Sequence, residues 1–285
     1  MIKLNRVRSH PPVHENFFGA KRVAVNLKLL EQKRAGEIDK KGEKKWNSTF
    51  WKEAKAQLLA ETFNKCAYCE SPTRIVAYGD VEHFRPKSIY WWLAYSYDNY
   101  LASCGACNQE YKRDFFELQD NSRRLNGEKI LSTMTDEDLE KLAPYLTVDP
   151  IDDNSGKKLK DFEKELEREK ALLINPYFND PEQYFAYKPI AKTEEVLIVP
   201  RKPKFSPIIK ACGDLFGLNR KELLDQRYQW YTVYVTIRGA AESSDVPVAI
   251  KTKSRTKIEE LKAPKSPYAG MIRYFETKDL SELNN

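Results

Sequence analysis

Cys66-Ala67-Tyr68-Cys69 and Cys104-Gly105-Ala106-Cys107 hold four of the chain's five cysteines in two pairs of the same spacing. A two-residue spacer lets both sulfurs of a pair point at one ion, and four thiolates complete the tetrahedral shell of a structural Zn²⁺. Metal is a better reading than disulfides, because the opening MIKLNRVRSHPPV has no apolar core of the kind an export signal needs. The 34 residues between Cys69 and Cys104 exceed the spacing of an ordinary zinc ribbon, so the interval must fold into something of its own. Cys212, alone on an apolar helix, reads as a small core side chain.

Inside the interval, RIVAY and VEHF flank Gly79-Asp80, a two-residue turn signal that predicts a β-hairpin. Pro86 ends its second strand, because it lacks the N–H that another ladder bond would use. Beyond YDNYLAS and the second cysteine pair, CNQEYKRDFF predicts a helix starting near Cys107, with Asn108 and Lys112 one turn apart on the same side. The expected order is strand, strand, metal-bound turn, helix. The aromatic run Tyr90, Trp91, Trp92, Tyr95 and Tyr97 reads as core around this unit in preference to a base-stacking platform.

The rest of the chain is larger than such a unit needs. Its 285 residues are 41% hydrophobic, enough for one large domain or two modest ones. Charged side chains make up 32%, but the net charge is only +6, which permits a polyanionic partner without demanding one. No stretch approaches the ~20 apolar residues of a bilayer span, so a cytoplasmic protein with no membrane contact is expected. The chain divides into an N-terminal arm and helix (1–64), the metal-stapled core (65–120) and a helical C-terminal region with a short β-like segment (121–285). The arm carries a basic cluster at Lys40, Lys41, Lys44 and Lys45. Its helix starts at Ser48, with Trp51, Ala54 and Leu58 at helical spacing. His10 and His14 in the arm read as exposed or packing residues. In the last region, Leu159, Phe162, Leu166 and Leu173 follow a seven-residue repeat broken by Glu169. Glu195–Val199 predicts a small hairpin. Gly217 ends one helix, and Asn219 with Glu222 begins the next in a capping-box pattern.

The series Glu82-His83-Phe84-Arg85-Pro86, then Asp98-Asn99, then Cys107-Asn108 with Lys112, resembles the ββα-metal or HNH endonucleases, in the subset stapled by two CxxC pairs. EHFRPKS, YWWLAYSYDNYLASC, LINPYFNDPEQYF and GLNRKELL look like one bacterial lineage among them, which includes the Septu PtuB and retron-associated nucleases. The resemblance implies an α+β protein, a zinc-stapled ββα-metal HNH core embedded in a mostly helical chain. It implies an enzyme that hydrolyses phosphodiester bonds in nucleic acid, DNA favoured and RNA possible, in antiviral defence beside an ABC-type ATPase of the PtuA kind. His83 would be the general base, since a neutral imidazole accepts a proton near cellular pH. Glu82 and Asn108 supply hard oxygens for a catalytic Mg²⁺ or Mn²⁺. Asn99 would brace the loop and orient the histidine, while Arg85, Lys87, Lys112 and Arg113 would meet nucleic-acid phosphates.

Two points resist a direct transfer of the family's site. Glu82 stands where aspartate is commoner, and strand alternation sends Glu82 and His83 to opposite faces, so one shared ion would need the strand to bend before Pro86. Two other readings of the same residues are a zinc-knuckle module that holds nucleic acid or protein without cutting, and a degenerate nuclease kept as a structural subunit of an ATPase complex. Aromatic residues on the helix near 219–237, Tyr228, Trp230, Tyr231 and Tyr234, serve either the chain's own core or a docking face for that ATPase.

Overall fold

The computed structural model describes residues 1–38, 46–75 and 77–283. The lysine cluster at 40–45 and Val76 of the RIVAY segment lie outside the described residues. The protein is α+β, with two antiparallel strand pairs set among helices.

The first pair corrects the hairpin expected around Gly79-Asp80. Strand β1 (Asp80–His83) pairs not with the residues before the turn but with β2 (Tyr100–Ser103), in a register that sets Glu82 opposite Leu101 and His83 opposite Tyr100. Gly79 does take the positive φ (+64°) of a turn residue. The described residues just before it belong to no strand, with Ile75 and Tyr78 80% and 85% exposed, whereas Tyr100, Leu101, Ala102 and Ser103 are all buried. β1 therefore pairs where apolar area is removed from water, which a local turn signal does not report. Ala106–Lys112 then winds as a π-helix, closed by the Arg113 N–H donating to the Asn108 carbonyl five residues back at 2.8 Å.

The N-terminal region contains a helix that hydrophobic periodicity did not announce. In α1 (Gly19–Arg34) two of the inward residues are Arg22 and Asn26. The Arg22 guanidinium meets Asp149 and donates to the carbonyls of Pro144, Thr147 and Ser155, while Asn26 donates to Ala143 O at 2.9 Å. A helix packed through polar groups leaves no apolar stripe to read. The helix expected from Ser48 is split into α2 (Ser48–Lys52) and α3 (Lys55–Glu61), and Asn47, not Ser48, caps it by accepting from Thr49 N. Residues at the start of the chain close over α3, where Arg6 meets Glu61 at 3.0 Å and lies over the Tyr177 ring at 3.5 Å.

C-terminal to the core, α4 (Asp136–Leu142) carries a capping box from Thr135 and Asp138. The amphipathic helix α5 (Leu159–Arg168) stops just before Glu169. The expected hairpin is present as β3 (Phe185–Ile190) paired with β4 (Glu195–Pro200). Helix α6 (Ser206–Phe216) ends at Gly217, whose φ is +61° and where a Cβ would come within 2.7 Å of the Tyr111 ring, so only glycine fits. Asn219 does not cap the next helix. Its amide clamps the hairpin by bonding both Ile198 N and Ile198 O at 2.9 Å, and Arg220 takes the N-cap position of α7 (Lys221–Glu242).

Helices α8 (Val248–Lys262), α9 (Ala269–Glu276) and α10 (Leu280–Leu283) close the chain. Tyr231 and Tyr234 of α7 are buried against Phe275 of α9. Those two rings thus belong to the protein's own core, not to an open docking face. No described helix is long and apolar enough to cross a membrane.

Candidate active site

Four sulfurs lie at the base of the site. The Sγ atoms of Cys66, Cys69, Cys104 and Cys107 all fall within 4.8 Å of one another. A tetrahedron with metal–sulfur bonds of about 2.3 Å has edges of about 3.8 Å, so the cluster fits one zinc ion. Mutual hydrogen bonding holds the Cys69 and Cys104 thiols low, while Cys66 is pushed up chiefly by burial and Cys107 chiefly by the neighbouring sulfurs. Four thiolates this close together, three of them buried, need a cation to stay together. Two C-terminal groups close over the cluster. Phe216 stacks on Tyr68 at 3.9 Å, and Arg220 donates to Cys107 Sγ at 3.4 Å.

β1, β2 and the π-helix converge beside the sulfurs. One face of β1 looks at the π-helix, where Asp80 Oδ2 accepts from Asn108 Nδ2 at 3.3 Å and from Gln109 Nε2 at 2.8 Å. Two residues on, Glu82 Oε1 lies 2.5 Å from Lys112 Nζ. Asp80 joins the site without having been singled out, although its i, i+2 relation to Glu82 was a usable signal. Lys112 Nζ also donates to His83 O at 3.0 Å. The contact with Glu82 is poorly aligned, because Oε1 accepts no hydrogen bond of adequate geometry. Burial accordingly pushes the Glu82 carboxyl up in spite of Lys112, the nearest opposing charge. A buried oxygen under-served in this way, beside Asn108 and Asp80, is a donor set that suits a hard divalent cation.

His83 leaves the strand toward a different set of partners, as alternation requires; the ladder runs on regularly past it, so the bend that one ion shared by Glu82 and His83 would need is not present. Its ring lies edge-on to Trp51 at 4.9 Å and to Tyr100 at 5.0 Å, and its Nε2 is 2.9 Å from Ala94 O. A carbonyl only accepts, so the proton sits on Nε2 and the Nδ1 lone pair is left to receive another. Burial, with the Lys87 ammonium nearby, pushes the imidazolium down to about 3, which keeps the ring neutral. The ladder continues past His83, Phe84 N donating to Asn99 O at 2.8 Å. The Asn99 side chain fastens the following loop, accepting from Arg85 N and donating to the carbonyls of Arg85 and Leu93.

The four cations expected at phosphate separate into two kinds. Arg85 and Lys112 are 3% and 0% exposed and are held by carboxylates inside the protein, so neither faces solvent. Arg85 meets Glu169, the residue that breaks the repeat of α5, at 2.7 Å. Lys87 is half-buried over the Trp51 ring at 5.5 Å, and Arg113 is exposed. Glu169, Trp51 and Arg220 are the neighbours that sequence reasoning missed. Nothing local marks them, because each arrives from a distant part of the chain.

This chain is similar to Septu protein PtuB. The relative, from Bacillus mycoides (strain KBAB4), is 29% identical over 189 residues, which is 61% of this chain and 50% of that protein. The chain thus spans about half the length of the curated relative it matches. No family model and no solved structure matches.

Proposed function

We propose that the protein is a metal-dependent HNH endonuclease that hydrolyses phosphodiester bonds, DNA favoured, as the nuclease component of an anti-phage defence system with an ABC-type ATPase of the PtuA kind. The observation that carries this reading is His83, buried and neutral, with Nε2–H fixed by Ala94 O and Nδ1 left as the proton acceptor. That arrangement suits a general base for water. Glu82 and Asn108, with Asp80 beside them, are the residues that would hold Mg²⁺ or Mn²⁺. When bound, such an ion supplies charge stabilisation at the scissile phosphate and the leaving oxygen. Asn99 keeps the loop after β1 in place, and so keeps the His83 ring against Ala94. The similarity to Septu protein PtuB supports the defence role and the partner class.

A second reading is favoured by one contact. Lys112 already gives Glu82 a cation, and a protein that kept that pair permanently would be an inactive zinc-knuckle or structural subunit. The two are separated by incubating the purified protein, with and without its neighbouring ATPase, with plasmid DNA and total RNA in Mg²⁺, Mn²⁺ or chelator. Metal-dependent cleavage is expected. Intact nucleic acid under every condition, ATPase and nucleotide included, supports the second reading.

A further inference from the structure

Most cations near the site are already engaged by carboxylates. Arg6 meets Glu61, Arg8 meets Asp98, Lys65 meets Glu70, Arg85 meets Glu169 and Lys112 meets Glu82. Lys52, Lys55 and Arg74 have no carboxylate partner among the described residues, and they line one shallow cavity of about 480 Å³ that no acidic residue borders. Tyr78 lines the same cavity at 85% exposure, with Lys55 Nζ 6.0 Å from its ring centre. Trp51 precedes Lys52 in α2, and its ring lies under Lys87 and against His83, so the helix that supplies Lys52 to the cavity also packs on the histidine. The ring leaves a face free to stack on, and the unpaired positive charges around it repel one another. A ligand with a flat apolar face and a string of negative charges meets both.

We propose that the strip formed by Trp51, Lys52, Lys55, Arg74 and Tyr78, with Lys87 at its inner end, binds an unpaired nucleic-acid strand, the phosphates on the cations and a base on Tyr78. A base can stack on an aromatic ring only when it is free of its own helix, so the exposed ring selects single strand over duplex. The proposal rests on the nuclease reading for what the strand is delivered to. It replaces Arg85 and Lys112, which are buried, with cations on the opposite flank of His83.

Binding is read without cutting, as fluorescence anisotropy of labelled 15-nucleotide oligothymidylate and oligouridylate on zinc-loaded His83→Ala protein without added divalent metal. Tyr78→Ala, at a position too exposed to affect folding, should weaken binding about 5- to 100-fold. Lys52→Glu with Lys55→Glu should weaken it further and lower the slope of log affinity against log salt by about 1.4, near 0.7 per lost phosphate contact. Lys202→Glu with Lys204→Glu, which line a different cavity beside the β3–β4 hairpin, should leave affinity unchanged. Unaltered affinity in the Tyr78 and lysine variants, an equal loss in the distant pair, or tighter binding of a duplex of the same length would each overturn the proposal. A wild-type protein that binds through the strip but never cuts would remove the nuclease reading and leave the strip standing.

Discussion

Arg85 and Lys112 both end in buried ion pairs, and the two pairs are built differently. Glu169, the partner of Arg85, is saturated. Oε2 takes the guanidinium at 2.7 and 2.8 Å, and Oε1 accepts from the Tyr90 hydroxyl and from Leu125 N. Glu82, the partner of Lys112, has one close but misaligned ammonium and a carboxyl pushed up by burial. The first pair ties the loop after β1 to the end of α5 and has no capacity to spare. The second is a carboxylate that a single positive charge does not satisfy, with Asn108 and Asp80 next to it. The difference teaches that buried cations of one motif can do unlike work: Arg85 holds the frame, and Lys112 stands against a carboxylate it does not saturate, the place a divalent cation would take under the proposed function.

The largest effect should come from removing the sulfur cluster that anchors the π-helix. Cys104→Ser should lose the zinc and with it the π-helix that carries Lys112, since structural zinc contributes about 10 to 16 kcal/mol of apparent binding free energy. Metal analysis and circular dichroism check this, and full zinc content with unchanged unfolding would break the account of the sulfur cluster. Arg85→Met comes next. It strands Glu169 among buried neighbours and should cost about 3 to 5 kcal/mol in denaturant unfolding.

How much of this was legible follows the same divide. The cysteine pairs, the strand ahead of Pro86 and the helix after Cys107 are local patterns whose chemistry depends on spacing, and they stand in the structure. The partner of β1 was not legible, because Gly79-Asp80 signals a turn and says nothing about which later strand buries more surface. Helix α1 was hidden because Arg22 and Asn26 face inward, where hydrophobic periodicity looks for leucine. Glu169 was seen as the break in a repeat, but its role depends on Arg85, 84 residues away. Asn219 had the right residue type for a cap and was taken by the hairpin.

Two smaller effects sharpen the contrast. Lys112→Met should cost clearly less than Arg85→Met, because Glu82 can take a proton when its ammonium is removed. The same variant should need about tenfold less Mn²⁺ for a given rise in Tm, as expected if metal and Lys112 compete for one carboxylate. Equal costs for the two variants, with unchanged Mn²⁺ response, would erase the distinction drawn between the pairs.

The effect spread most thinly is a pH slope, small at any one pH step. His83 is pushed down from 6.5 to about 3 in the folded protein, so as pH falls below about 6.5 the unfolded chain takes up a proton that the folded one refuses. Stability from this group is whole above that pH and declines toward pH 3 by at most about 1.4 kcal/mol per unit. His83→Gln should show a shallower decline across that range in urea unfolding.

The most direct measurement is the rate at which wild-type and His83→Ala proteins, both with full zinc and normal unfolding, cut plasmid DNA in Mn²⁺ with the neighbouring ATPase present. The account predicts cleavage by the wild type that falls about 10²- to 10⁴-fold in the variant. Equal rates in the two proteins, with contaminating nuclease excluded, would contradict it.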